Sequence, residues 1–384
     1  AHRNRRRRPP ALAGGGMRLT SFPCLKFTNG CAILDNMKLI AQVKLQPTPE
    51  QADYLRRTLE VANAAANYVS EVAWETGTFR QYDLHHACYR DVRERFPLSA
   101  QMVVRLIAKV ADAYKLDRKA RRTFRPHGSI AYDARILSWR LADRTVSIWS
   151  VGRRLRIPFV AGEHHLKLLR SMQGEADLIY RHGEFYLHQV CEVDEPPADN
   201  VNDFLGVDLG VVNIAADSDG TVYSSRAMNN VRHRHRRLRA KLQRKGTKSA
   251  RRRLKKLSGK ERRFATHTNH TISKRIVAAA KDTGRGIALE DLKGIRERVT
   301  ARRAQRATLH SWSFFQLRSF VEYKARLAGV PVVAVDPRNT SRTCPACGHI
   351  DKRNRPAQDT FSCVVCGYSG LADHIAAINI AGAL

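Results

Sequence analysis

Four of the eight cysteines stand close together, Cys344 with Cys347 and Cys363 with Cys366, in the spacing C-x2-C-x15-C-x2-C. A glycine follows each pair, Gly348 and Gly367, where a tight knuckle lets backbone amides turn toward the sulfurs. Four thiolates complete a tetrahedral shell and leave no open position for chemistry. The pattern therefore predicts one structural Zn2+. His349 and His374 lie nearby, but a complete quartet needs neither. The other cysteines, Cys24, Cys31, Cys88 and Cys191, are scattered. Single cysteines beside one tight quartet indicate a reducing compartment and a bound metal, not a disulfide framework.

A second set of residues could hold harder cations. Asp208 lies in Gly206-Val207-Asp208-Leu209-Gly210 at the end of a short apolar strand, Glu290 ends the apolar run from Gly286, and Asp373 opens the last helix. Carboxylates at the ends of regular elements suit Mg2+ or Mn2+, which take oxygen ligands. Two such ions about 3.5–4 Å apart stabilise both the entering and the leaving oxygen of a phosphoryl transfer. The glycines flanking Asp208 are read as letting a substrate backbone approach. Taken singly each acid is ambiguous, since an Asp at a helix start is usually a cap and an acid at a strand end is usually solvated. Asp217 and Asp219 compete as ligands but fit a turn, Asp291 should point away from Glu290, and Asp336 is the strongest rival.

The elements that must carry these residues fall into two halves. Met37–Gln46 reads as a strand, and Thr48-Pro49-Glu50-Gln51 has the composition of a helix start with a capping box. Helical periodicity follows through Leu55, Leu59, Ala62, Ala66 and Val69, and again from Ser99 to Leu116. From Ile130 to Val193 the pattern shifts to short alternating segments: Thr145–Trp149, Arg154–Pro158, Leu166–Leu169, Ala176–Arg181 and Glu184–Val190. This predicts an antiparallel β unit that receives the first strand and carries a helical insertion. Glu195–Asp199 reads as a linker. Beyond it, Phe204–Asp208, Val211–Ala216 and Thr221–Ser224 are expected strands. A basic helical segment follows over Val231–Arg263, then an amphipathic helix around Ile272–Ala280, a strand at Gly286–Leu289, a helix over Trp312–Leu327 and a strand over Val330–Val335.

Lys and Arg number 68 against 35 Asp and Glu, a formal net charge of +33. Such an excess points to a polyanionic partner, because each neutralised phosphate releases counterions. Arg251, Arg252, Arg253, Lys255 and Lys256 in the basic segment are the candidate nucleic-acid contacts; the plain alternative is a solvated helix face. An anionic membrane surface is a weaker reading, and no apolar run reaches the roughly 18 residues that span a bilayer. Residues 1–36 open with Arg5-Arg6-Arg7-Arg8 and Pro9-Pro10 and lack an apolar signal core. They read as a disordered basic extension, with Met37 the more natural start. The expected location is cytoplasmic.

Gly206–Asn213, Ile287–Leu292, Asp336–Cys344 and the cysteine ribbon followed by Asp373 occur in an order that resembles the TnpB (OrfB) family. Bacterial insertion sequences carry these proteins, which are related to type V CRISPR effectors. The resemblance runs from Met37 to Leu384. It implies an α/β RNase H-like (RuvC) nuclease domain over 201–384, with a basic helical insertion at about 226–285 and a zinc ribbon at about 340–370. It implies a β-barrel-like wedge over 37–200 with a helical recognition insertion at about 48–128. It implies that Asp208, Glu290 and Asp373 bind the catalytic Mg2+ or Mn2+. The implied partners are a guide RNA from the transposon end and a double-stranded DNA target with a short flanking motif, bound by a monomer. The chain departs from the family pattern at Ile375, usually Asn, and Ala372, usually Arg, while Asn379 is kept. Two other classes stay open: a transposase or recombinase acting on transposon ends, and a guided DNA-binding protein that does not cut.

Overall fold

The computed structural model describes residues 36–210, 212–291 and 314–384. The basic extension expected over 1–36 lies, except for Asn36, outside them. The first strand, β1 (Asn36–Leu45), alternates and buries Met37, Ala41, Val43 and Leu45. Helix α1 (Pro49–Thr76) starts at a full capping box: Gln51 N donates to Thr48 Oγ1 at 3.3 Å, and Thr48 N donates to Gln51 Oε1 at 3.0 Å. Helix α2 (Gln81–Arg95) was not expected. It buries Leu84, Cys88 and Val92 alone, a stripe too sparse to show periodicity in a polar stretch. Helix α3 (Ala100–Leu116) is capped by Ser99, and the three helices share one core with the sheet that follows.

That sheet comprises β1 with β2 (Ile130–Tyr132), β3 (Leu137–Arg140), β4 (Thr145–Trp149), β5 (Arg154–Val160), β6 (Met172–Arg181) and β7 (Glu184–Asp194). The order is β2-β6-β7-β1-β5-β4-β3, with antiparallel neighbours throughout. Tyr132 on edge strand β2 donates at 3.1 Å to the Trp149 carbonyl of β4, the strand next to the opposite edge, and so nearly closes the sheet. Leu166–Leu169, expected as a strand, is instead the end of helix α4 (Glu163–Leu168) and the turn after it. Four apolar-rich residues are too few to separate the two periodicities.

Glu195–Asp199 is a tethered connector. Arg326 donates to Glu195 at 2.9 Å, Lys281 to Asp199 at 2.7 Å, and the Asp199 amide to the Gly329 carbonyl at 2.7 Å. Beyond it, β8 (Phe204–Asp208), β9 (Asn213–Asp217) and β10 (Val222–Ser224) form an antiparallel meander. Helices α5 (Arg226–Lys245) and α6 (Lys248–Asp282) come next, then β11 (Gly286–Glu290), α7 (Phe314–Ala328) and β12 (Val332–Val335). The second sheet runs β10-β9-β8-β11-β12, and β8, β11 and β12 are mutually parallel. Strand β11 is buried along its whole length, as a parallel strand covered on both faces must be.

The expected single basic segment is two helices. Gly246, at φ +64°, ends α5, and Thr247 caps α6 by accepting from the Ala250 amide at 3.2 Å. The amphipathic stretch Ile272–Ala280 is the last part of α6 and not a separate helix. The chain closes with β13 (Thr360–Ser362), β14 (Ser369–Leu371) and α8 (Ala372–Ala381), which lies across β8. Among the described residues no helix is long and apolar enough to cross a membrane.

Candidate metal sites and nucleic-acid surface

Leu289 pairs with Val207 in the parallel register of β11 and β8, so Glu290 and Asp208 close adjacent strands at the same end. This end of β8 is where the sheet changes direction, with antiparallel β9 on one side and parallel β11 on the other. Helix α8 brings in Asp373 on its first turn, where the helix dipole favours a negative charge. Burial, then the charges of Glu290 and Asp373, pushes the Asp208 carboxyl up to about 7, while Arg355 pulls it back. Burial also raises Glu290, against a hydrogen bond that Thr340 Oγ1 donates to its Oε1 at 2.6 Å. Asn213 Nδ2 donates to Asp373 Oδ2 at 2.9 Å, and Arg355 Nη2 stands 3.6 Å from Asp373 Oδ1.

Asp208 thus senses both other acids in a poorly hydrated place, with one nearby guanidinium to offset them. An all-oxygen donor set under mutual repulsion fits a hard divalent cation. The cysteine quartet gathers its ligand atoms within 4.8 Å of one another, whereas the acids come from three separate elements. The rival acids are engaged elsewhere. Asp217 accepts from the Thr221 amide in its turn, Asp219 pairs with Arg285, Asp291 with Arg318 at 3.0 Å, and the exposed Asp336 with Arg338 at 2.5 Å.

The glycines beside Asp208 are required by the packing of the fold. A Cβ on Gly206 would run into the Ala377 carbonyl and lie 2.6 Å from the Ala381 amide of α8, and one on Gly210 would lie 2.8 Å from the Asn213 carbonyl. The altered positions of the last motif also have a packing reason. Ala372 and Ile375 are buried with Phe361, Cys344 and Cys363, forming the small core that joins the ribbon to α8.

In the ribbon the sulfurs of Cys344 and Cys366, and of Cys347 and Cys363, are 3.6 Å apart. Gly348 and Gly367 take φ +72° and +73°, the left-handed turn each knuckle requires. Backbone amides, that of Cys366 foremost, pull the Cys363 thiol below its ordinary range. This four-thiolate cluster fits zinc. Asn354, fully buried, donates to the Arg342 and His349 carbonyls and accepts from the Val364 amide at 3.0 Å, which locks the knuckles together. Its neighbour Arg355 is thereby placed beside Asp373. Thr340 and Asn213 were visible in the motifs, but nothing in their spacing marks them as partners of the acids.

Arg251, Arg252, Arg253, Lys255 and Lys256 are all exposed on α6. On the inner side of the α5/α6 pair, Leu242, Ala250 and Leu257 are buried, and Arg239 pairs with Glu261 across it. The pair therefore turns most of its cations outward.

Residues 188–293 match a family model of the OrfB type from IS605, described as a probable transposase, and residues 314–380 match the Cas12f1-like TNB domain. The chain is 40% identical over 129 residues to the CRISPR-associated endodeoxyribonuclease Cas12f1 of Sulfoacidibacillus thermotolerans, 33% of this chain and 29% of that protein. It is 35% identical over 128 residues to the TnpB-like protein MJ0751 of Methanocaldococcus jannaschii, 33% of this chain and 45% of that protein. The chain therefore spans less than half the length of these curated relatives. Among solved structures, a chain of a Cas12f1–sgRNA–target DNA complex shares its fold, with a TM-score of 0.61 at 17% identity over 87% of this chain and 83% of that one. The resemblance seen in the motifs is borne out: the second half of this chain is related to the TnpB (OrfB) and Cas12f1-like proteins.

Proposed function

We propose that this chain is an RNA-guided, divalent-metal-dependent DNA endonuclease encoded by a transposable element. The observation that carries the reading is the group of the buried Glu290 with the half-buried Asp208 and Asp373, at the ends of β8 and β11 and the start of α8, whose repulsion asks for bound cations. The order β10-β9-β8-β11-β12, antiparallel on one side of β8 and parallel on the other, is consistent with an RNase H-like (RuvC) domain over 201–384. The nearly closed sheet with its three-helix insertion is the wedge and recognition lobe over 37–200. A guide RNA and a double-stranded DNA target are the proposed partners, supported by the complex named above and by the outward cations of α6.

Asp208, Glu290 and Asp373 would hold Mg2+ or Mn2+, which when bound activates water and stabilises the leaving oxygen of a phosphodiester. Thr340 and Asn213 fix the orientations of two of these acids. Arg355 places a guanidinium at the rim of the cluster, where a scissile phosphate must come. The ribbon, held by a structural zinc, supplies that arginine.

The test is plasmid cleavage with the RNA that copurifies with the protein. Asp208→Ala, Glu290→Ala and Asp373→Ala are each expected to lose cleavage and keep target binding, because affinity comes from the basic surface. Asp336→Ala is expected to cut like the wild type. Ca2+ should support binding with little cleavage, since its larger, looser shell does not hold the compact geometry. Full cleavage by Asp208→Ala would end the site assignment, and a wild type that binds but never cuts would make this a guided binding protein. The match to a probable transposase favours one second reading. Joining of transposon ends in a strand-transfer assay would establish it.

A further inference from the structure

Glu290 and Asp373 are each gripped on one oxygen. The Thr340 hydroxyl has two acceptors in reach, Glu290 Oε1 at 2.6 Å and the Pro337 carbonyl at 3.2 Å. The shorter, charge-assisted bond to the carboxylate is the stronger. Thr340 is 7% exposed and Glu290 8%, so water offers little competition for that bond. Thr340 is itself pinned: Asn379 Nδ2 donates to the Thr340 carbonyl at 2.7 Å and to the Thr343 carbonyl at 2.8 Å. Asn379 lies on α8, the helix that carries Asp373, so one helix presents one acid directly and orients a second through the loop after β12. On the other side Asn213, the first residue of β9, holds Asp373 by Oδ2. Among the described residues Glu290 Oε2 accepts no hydrogen bond, and Asp373 Oδ1 meets Arg355 alone, at 3.6 Å.

We infer that Thr340, anchored by Asn379, and Asn213 are positioning residues that each occupy one carboxylate oxygen so that the other oxygen of Glu290 and of Asp373 is presented to the divalent cation. The inference rests on the metal-site reading above. A carboxylate free to rotate would offer either oxygen and lose orientation on binding, whereas a hydrogen-bonded one is set in advance. Outer partners of this kind typically change metal affinity about 10–100-fold when removed. Thr340→Val keeps the shape and removes the hydroxyl. Thr340→Ser keeps the hydroxyl and removes a methyl group. A role in packing and a role in orienting Glu290 therefore predict opposite rankings for the two variants.

The experiment is a Mn2+ titration of the zinc-loaded, RNA-free full chain, read by the electron paramagnetic resonance signal of free Mn2+, with thermal melting of every variant alongside. Thr340→Val and Asn213→Ala are expected to melt near the wild type and bind Mn2+ about 10-fold more weakly, with Thr340→Ser within about two-fold of the wild type. Thr340→Val binding as tightly as the wild type, or Thr340→Ser as weakly as Thr340→Val, would overturn the inference. Wild type binding no tighter than Asp208→Ala would instead overturn the metal site itself, and this inference with it.

Discussion

The ribbon and the carboxylate cluster, which we propose as a site for divalent cations, lie at opposite extremes of how a chain can gather ligands. The ribbon takes its ligands in two adjacent pairs, each folded by one glycine-ended knuckle, and brings all four sulfurs within 4.8 Å. It is closed, and its chemistry is complete once the local turns form. The carboxylate cluster draws Asp208, Glu290 and Asp373 from two strands and a helix. Each of its acids depends on packing or hydrogen bonds supplied by other segments. The contrast follows from what each site is proposed to do. A site that only holds a fold together can be self-sufficient, whereas a site for chemistry must leave coordination positions open and borrow its rigidity.

Breaking the two sites should therefore give opposite phenotypes. Asp208→Ala should abolish cleavage and leave the melting profile nearly unchanged, because it also relieves the repulsion among the acids. Cys344→Ser should unfold the ribbon locally and release its zinc. In small zinc domains the metal supplies an apparent ~10–16 kcal/mol of folding energy. Phe361, Ala372 and Ile375 would lose their shared core, while the separate core of the N-terminal half stays folded. Elemental analysis for about one zinc per chain and limited proteolysis report on both expectations. A Cys344→Ser protein that keeps its zinc and resists proteolysis in the ribbon would erase the contrast.

The dependence of the cluster on packing can be probed with a single methyl group. Gly206→Ala puts a Cβ against the Ala377 carbonyl and the Ala381 amide, both backbone atoms of α8 that cannot swing aside. Overpacking of this kind costs about 1–3 kcal/mol, and here it must displace the helix that carries Asp373. Cleavage should fall more than melting temperature. The ribbon should keep its zinc, which would separate the two sites again. Equal cleavage by Gly206→Ala and wild type would show that α8 yields to the added methyl group and that the cluster does not depend on this packing.

The same contrast explains what could be read from residue order alone. The cysteine quartet and the capping box of α1 were legible because their signals sit within a few residues. The three acids could be shortlisted from their places at element ends, with Asp217 read as a turn residue and Asp291 as pointing away, but Asp336 stayed a strong rival on pattern alone. The fold shows Asp217 in its own hairpin, Asp291 drawn to Arg318 and Asp336 to Arg338. Helix α2 escaped notice because three buried residues in a polar stretch carry almost no periodic signal. Ile375 and Ala372 looked like departures from a motif because the ribbon core that they fill is built from residues before the helix. Thr340, Asn213 and Asn379 act through contacts between 36 and 160 positions apart, which no spacing rule encodes.

The smallest expected effect belongs to the surface that neither site contains. Arg251, Arg252 and Arg253 are exposed on α6, whereas Arg239 on α5 pairs with Glu261 inside the helix pair. Exposed guanidinium groups that make no ion pair among the described residues are available to displace counterions from a phosphate backbone. Each phosphate contact steepens the dependence of log K on log salt by about 0.9 on duplex DNA and about 0.7 on single strands. Replacing the three outward arginines with glutamine should flatten the slope by at most about two to three and weaken binding modestly, with catalysis at saturating nucleic acid unchanged. Arg239→Gln should behave differently: it removes the partner of Glu261, loosens the helix pair and leaves the slope where it was. Binding of the copurifying RNA between about 50 and 200 mM salt resolves the two cases. If the triple variant keeps the wild-type slope, these arginines are a solvated face, and the polyanion must be held by other parts of a chain with a net charge of +33.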